Sequence, residues 1–582
     1  MSKPRQLEPF PNLVTMFLTR AAEKGDQPFL WAKRDGEWRA TSWREAARQV
    51  AALAESLKRI GLQRGDRVML VSENRPEWLM ADLGIMAAGC VTVPTYTTNT
   101  TRDHTHVLSN SGARAVVVSN QKLAKALVPA VLFSSDCHHL IGIEPIRTGQ
   151  STEEVEYHDW ADLVAGEPDI GALERSLAGV GRNDLACIIY TSGTGGAPRG
   201  VQQHHGAILH NAAGCIDVIS EDFGWDEEVF LSFLPASHAY EHSGGQYFPI
   251  ALGAQIYFAE SLEKLSANIE EVRPTIMVVV PRLFEMLRAR ILHNIKKGGL
   301  SQYLLNRALS IGSGKYDGRF QPWNLPMEGI LSLTVKRKVA RRFGGRIKAM
   351  VSGGAPLNPE VGLFFHSLGL TLLQGYGQTE AGPVISCNRP RAGVRMDTVG
   401  PPLKDTEVRI AEDGEIMVRG ENVMHGYWRN PEETARVLVD GWLATGDVGH
   451  LDDKGRIVIT DRKKDLIVND KGDNVSPQRV EGMLTLQPEI AQAMVYGDRR
   501  PYLVALLVPD PELAQQPDME QRLRAALDRV NAELSIIEKV RRFVVADEPF
   551  SIDNEQLTPS MKIRRHVIKQ AYSERLDALY KK

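Results

Sequence analysis

The sequence predicts an α/β protein in two parts: a large N-terminal domain of two doubly wound sheets with a β-barrel-like subdomain, then a small α+β C-terminal domain. Three observations predict it. Apolar strand-like runs alternate with helical stretches through the first half. The pattern changes to short hairpins after about residue 395. At 582 residues the chain is too long for one hydrophobic core.

Arg67–Ser72 reads as a buried strand, Glu77–Cys90 as a helix and Val91–Tyr96 as the next strand. That is a βαβ unit, so the strands pair in parallel. Ala113–Ser119, Ala254–Ala259, Thr275–Val280 and Ile347–Ser352 add further buried strands, giving open parallel sheets with helices on both faces. Glu407–Ile410 and Glu415–Arg419 flank the turn signal Glu412-Asp413-Gly414, and Asp452–Gly455 before Ile457–Thr460 repeats it. Beyond the charged run Asp461–Asp465, Ala493–Tyr496 pairs with Leu503–Val508, and Glu520–Leu534 is helical. A domain boundary is therefore expected at about 461, dividing the chain into 1–460 and 461–582.

Composition excludes several classes. Hydrophobic residues make up 43% and charged ones 24%, the balance of a globular protein, and a net charge of -3 gives no global field for nucleic acid. Five scattered cysteines form no C-x-x-C pair, which fits a reduced, cytoplasmic setting. The N-terminus lacks a secretion-signal pattern, and no stretch approaches the ~18 apolar residues of a membrane span.

The strand Leu185–Ile189 runs into Tyr190-Thr191-Ser192-Gly193-Thr194-Gly195-Gly196-Ala197-Pro198-Arg199-Gly200. Glycines let a backbone approach a ligand with its N–H groups turned inward. Hydroxyls add donors and Arg199 a fixed charge, so the loop suits a polyphosphate. A plain surface loop is the alternative. It is not a Walker loop. Gly312-Ser313-Gly314-Lys315 comes near that pattern, but Leu309 and Tyr316 break it, and it is set aside as a loop.

This loop resembles the signature of the adenylate-forming superfamily: acyl-CoA synthetases, luciferases and peptide-synthetase adenylation domains. Gly195 stands where that signature usually has threonine, and Arg199 where it has lysine. The resemblance runs from about Asn12 to Arg565, with further motifs in the same order. It places Leu234–Glu241 beside an acyl pocket, with His238 and Tyr240 lining it together with Gly354 and Gly377. Alone, His238-Ala239-Tyr240-Glu241-His242 also fits an H-x-x-E-H zinc pattern, but Pro235 favours a strand end running into a loop.

Val351–Leu357 precedes helix-start signals at Asn358-Pro359; the resemblance lays Gly353, Gly354, Ala355 and Pro356 against an adenine. In Gln374-Gly375-Tyr376-Gly377-Gln378-Thr379-Glu380 it implies that Gln374, Gly375 and Gly377 border the nucleotide. Tyr376 becomes an adenine-stacking ring, Thr379 a phosphate contact and Glu380 the Mg²⁺ carboxylate. One carboxylate suffices, because Mg²⁺ keeps phosphate and water as its other ligands. Thr191, Ser192, Gly193, Thr194 and Arg199 would hold phosphate. Asp447, in Trp442–Asp447, would accept the ribose hydroxyls, with Arg462 near the nucleotide and Lys464 as the hinge. Lys562, in Leu557–Arg565, would be the catalytic lysine, acting with Glu380 and Thr191. The resemblance also makes the small domain mobile, bringing the loop Gly472, Asp473, Asn474 to the site for coenzyme A.

The activity implied is ATP-dependent conversion of a carboxylic acid to an acyl-adenylate, then transfer of the acyl group to coenzyme A. Val280–Glu285, the helical stretch to about Phe343 and Asp461–Ile467 resemble the long-chain fatty acyl branch, so a medium-to-long-chain acid is expected. Expected cofactors and substrates are ATP, Mg²⁺, coenzyme A and fatty acid. Peripheral membrane contact and a homodimer are carried as further expectations. The basic cluster Lys336-Arg337-Lys338 with Arg341-Arg342 is either a solvated helix face or a dock for anionic lipid. Rival readings are a fatty acyl-AMP ligase serving a carrier protein, an aryl-acid ligase, a non-catalytic nucleotide-binding protein and, remotely, a zinc peptidase.

Overall fold

The computed structural model describes residues 5–147, 154–191, 197–293, 299–319, 321–471, 473–551, 553–558 and 563–581. A seven-stranded sheet runs in the order Glu156–Asp159, His139–Gly142, Ala113–Val118, Arg67–Val71, Val91–Thr95, Leu185–Thr191, Arg199–His204. Its centre is parallel, with Arg67 opposite Val91 and Val71 opposite Thr95. The helix Pro76–Ala87 makes that crossover and is buried along its whole length. A helix apolar on all sides belongs inside a core. One hydrophobic cluster accordingly joins Val68 and Leu70 of this sheet to Phe230 and Ile256 of the next.

The second sheet has eight strands: Val384–Cys387, Leu372–Gly377, Ala349–Ser352, Ile276–Val279, Val229–Ser232, Gln255–Phe258, Pro28–Arg34, Glu37–Ser42. Neither sheet is wholly parallel, as the sequence suggested. Arg199–His204 runs antiparallel to Leu185–Thr191, Val384–Cys387 to Leu372–Gly377, and Glu37–Ser42 to Pro28–Arg34. Each pair is joined by a connection too short for a parallel crossover. The consequence for the site is direct: Thr191 and Arg199, on either side of the glycine-rich segment in sequence, become cross-strand partners.

Strands Glu407–Ile410, Glu415–Arg419, Leu438–Val439, Trp442–Leu451 and Ile457–Arg462 pair antiparallel throughout, as their hairpin signals require. Ile457–Arg462 continues past residue 461, and Arg462 faces Asp447 across the ladder. Further on, Ile490–Tyr496, Leu503–Pro509 and Val540–Val545 form a three-stranded sheet with its own cores.

Two local readings change. Gly312–Lys315 lies within the helix Leu300–Tyr316, not a loop. His238–His242 is not a loop either. His238 caps the short helix Ala239–Glu241, which continues as a π-helix, His242–Tyr247, and then as Phe248–Leu252. Pro235 stands outside the helix and leaves it intact. The start predicted at Asn358-Pro359 is where the helix Pro359–Ser367 begins, with the Asn358 side chain accepting from Glu360 N–H.

Candidate active site

The carboxyl ends of the central strands of both sheets and the edge of the antiparallel sheet enclose a cavity of about 630 Å³. Ligands of open α/β sheets bind at such strand ends. One side of the cavity is polar, bordered by Thr191, Arg199, Thr379, Glu380, Arg462 and Lys464. The other is apolar, bordered by Ile219, Phe248, Ile276, Val278, Leu373 and Leu403. Gly353, Gly354, Gly375, Tyr376, Gly377, His238 and Tyr240 stand around the same space.

Tyr427 donates its hydroxyl to Glu380 Oε1 at 2.8 Å, which orients that carboxylate. Arg199 forms an ion pair with Glu433 and lies 4.6 Å over the Tyr427 ring. Glu380, Tyr427, Arg199 and Glu433 thus form one connected polar group beside the Thr191–Arg199 strand ends. Tyr376 donates to Asp447 Oδ2 at 2.7 Å, and Arg462 Nε lies 3.4 Å from Asp447 Oδ1. Burial and then the Asp447 charge push the Tyr376 phenol well above its usual pKa, so it stays a donor. Burial, then neighbouring Arg462, pulls the Lys464 ammonium below its usual value.

Close backbone approach explains one glycine. A Cβ on Gly353 would sit 2.8 Å from the Tyr240 ring. Tyr240 is held there by donating to Val351 O at 2.7 Å. His238 Nδ1 lies 3.2 Å from Tyr240 N–H and accepts from it, so the neutral ring carries its proton on Nε2. Cys215 and Cys387 are free thiols on the cavity wall; burial raises Cys215 to about 12 and Cys387 further. Both remain small apolar wall residues at neutral pH.

Other expected site residues lie apart from the cavity wall. Gln374 is buried and donates to Met396 O at 2.6 Å, a bond that holds the turn. Asp447 is engaged by Tyr376 and Arg462 and does not line the cavity. Ala355 and Pro356 are also outside the lining. Asp473 accepts from Asn469, and Asn474 sits in the short strand Asn474–Val475, away from the cavity. Ser192, Gly193, Thr194, Gly472 and Lys562 lie outside the described residues. Thr558, four positions before Lys562 in sequence, does line the cavity.

The H-x-x-E-H segment holds no metal site among the described residues. His242 Nε2 is 2.9 Å from Asp82 Oδ2, and both are fully buried. Glu241 accepts from Ser232 Oγ at 2.5 Å. The single metal-ligand grouping among the described residues is His139, Glu156 and His158, on other strands. Sequence reasoning missed Tyr427, Glu433 and the apolar wall. Asn430-Pro431 signals a helix start, but nothing local says that the helix faces Arg199.

Known proteins resemble the chain along most of its length. The family model described as AMP-binding enzyme matches residues 17–428. That of the AMP-binding enzyme C-terminal domain matches 464–582. The chain is 32% identical over 594 residues to the long-chain-fatty-acid–CoA ligase FadD15 of Mycobacterium tuberculosis, covering 96% of each. It is 27% identical to long chain acyl-CoA synthetase 1 of Arabidopsis thaliana, over 99% of this chain and 92% of that one. Among solved structures, the adenylation domain of a carboxylate reductase from Mycobacterium chelonae superposes with a TM-score of 0.74 at 24% identity, over 99% of this chain and 92% of that one. The chain belongs to the AMP-binding enzyme family.

Proposed function

We propose that this enzyme activates a long-chain fatty acid with ATP and transfers the acyl group to coenzyme A. The observation that carries the reading is the two-sided cavity. Its polar side suits a nucleotide and its phosphates, and its apolar side suits a hydrocarbon chain. The names of the relatives that span the whole chain support the same chemistry.

A carboxylate is a poor electrophile. In the first half-reaction its oxygen attacks the α-phosphorus of ATP, an oxygen–phosphorus bond breaks, and pyrophosphate leaves. Two anions must meet, so the work is positioning and charge neutralisation. Arg199 and the loop after Thr191 would hold phosphate, and Lys562 would supply a further positive charge. Glu380, held by Tyr427, fits a Mg²⁺ site as a lone oriented carboxylate beside a phosphate loop. When bound, the ion would neutralise phosphate charge. Tyr376 and the Gly353–Gly354 turn would border the adenine, and Arg462, held by Asp447 from behind, the ribose side.

In the second half-reaction the coenzyme A sulfur attacks the acyl carbonyl. The carbon–oxygen bond to AMP breaks, and the thiol proton goes to solvent. Rotation of the residues that follow Lys464 would replace Lys562 by the Gly472–Asn474 loop.

The test is a panel of acids from short to long chain, with aryl acids included, incubated with ATP, Mg²⁺ and coenzyme A. AMP and thioester are read together. Thioester formation rising with chain length is expected. Fatty-acid-dependent AMP release without acyl-CoA would point to a carrier-protein ligase instead. No acid-dependent pyrophosphate exchange would remove the catalytic reading.

A further inference from the structure

The helix Leu325–Leu333 turns an apolar face outward. Leu325, Ile330 and Leu333 are 60%, 49% and 71% exposed, and Trp323, one turn before, is 74% exposed. Only Leu331 of this helix is fully buried. Its single charged residue, Glu328, is paired with Lys336, so the exposed face carries no net charge. An outward apolar face of this kind marks a contact surface.

The next helix, Val335–Arg342, begins two residues later and packs against the first. Its exposed side is cationic. Arg337 and Arg341 are four residues apart on one face, with Lys338 beside them, all three exposed. Among the described residues, Lys336 is paired with Glu328 and Arg342 with Glu270. Among the described residues, no salt bridge engages Arg337, Lys338 or Arg341. Apolar residues, a tryptophan and unpaired cations on adjoining short helices match the chemistry of a bilayer interface: acyl chains below, anionic headgroups above. An isologous contact between two copies would instead bring two cationic clusters together.

We propose that Trp323 and the helices Leu325–Leu333 and Val335–Arg342 form a docking surface for anionic lipid bilayers. The surface rests on the proposed function only in its use, since a long-chain acid partitions into the bilayer on which the enzyme would sit. No helix among the described residues is long and apolar enough to cross a membrane, so the contact would be reversible and salt-sensitive.

The experiment is co-sedimentation of the full chain with two vesicle types, phosphatidylcholine alone and phosphatidylcholine mixed with phosphatidylglycerol. Binding to the mixed vesicles is expected, weakening by at least about ten-fold in the double variant Arg337→Glu/Lys338→Glu. A similar loss is expected for Leu325→Ser/Leu333→Ser. Brominated acyl chains should quench tryptophan fluorescence in the parent and less in Trp323→Phe. Binding that ignores lipid charge, or survives both double variants, overturns the proposal. So does a dimer in sedimentation velocity that Leu333→Ser disperses, because the patch would then belong to a second copy. Thioester formation from a long-chain acid supplied on albumin without vesicles, measured on the same samples, should not change in these variants. Its absence in the parent would count against the proposed function and leave the lipid result standing.

Discussion

Tyr427 and Glu380 are 47 residues apart in sequence, and a 2.8 Å hydrogen bond from the phenol to Oε1 joins them on the polar side of the cavity. A hydrogen bond to a charged group contributes about 1.5–3 kcal/mol, so the phenol fixes which way the carboxylate points. Tyr427→Phe should lower fatty-acid-dependent ATP–pyrophosphate exchange about ten-fold. The Mg²⁺ concentration for half-maximal rate should rise. An unchanged Mg²⁺ dependence would show that Glu380 needs no such partner.

The Gly353–Tyr240 contact leaves no room for a methyl group. Gly353→Ala must push the ring or the turn, at a cost of about 1–3 kcal/mol. Lower stability and weaker exchange are expected in chemical denaturation and exchange assays. Adding Tyr240→Leu should restore part of the stability.

Burial pushes the Glu241 carboxyl up to about 8 from its ordinary 4.5. The folded state therefore binds a proton more tightly than the unfolded chain does. This contribution to stability is complete below about pH 4.5 and is lost as pH rises toward 8. Glu241→Gln keeps an acceptor for Ser232 and removes the titration. It should flatten the fall in unfolding free energy between those pH values by about 2–4 kcal/mol. Parallel pH curves for parent and variant in urea would contradict this.

Lys562→Ala should reduce acyl-adenylate formation about 10²–10³-fold, the scale of a lost transition-state contact. Conversion of supplied acyl-AMP to acyl-CoA should survive. Replacing Gly472 with a bulky residue should do the reverse. Equal loss of both half-reactions in either variant would remove the division of labour.

The strand pattern was legible where a physical period carried it. Glu407–Ile410 and Glu415–Arg419 fall on the observed strands, because a hairpin turn and alternation are both local. The βαβ unit around Pro76–Ala87 was legible for the same reason. The antiparallel edges were not, since pairing direction depends on where a loop returns. The H-x-x-E-H helix was hidden because Pro235 was weighed as a breaker for residues it only precedes. In the site, residues within one motif were readable, including Tyr376, Thr379 and Glu380. Tyr427, Glu433, Phe248 and Ile276 were not, because only tertiary folding brings them to the cavity. Asp447 and Gln374 were found in sequence, but their side chains are engaged by neighbours rather than turned into the open space.

Arg462 is the last residue of its strand and the ladder partner of Asp447, and the proposed pivot, Lys464, lies two positions further along. In the proposed cycle everything that swings is therefore tethered just beyond a clamp that stays shut. The mixed anhydride need never be released to bulk water between its making and its use. In that cycle the anchorage would limit wasteful hydrolysis, and an inserted residue between 462 and 464 should uncouple ATP consumption from thioester yield.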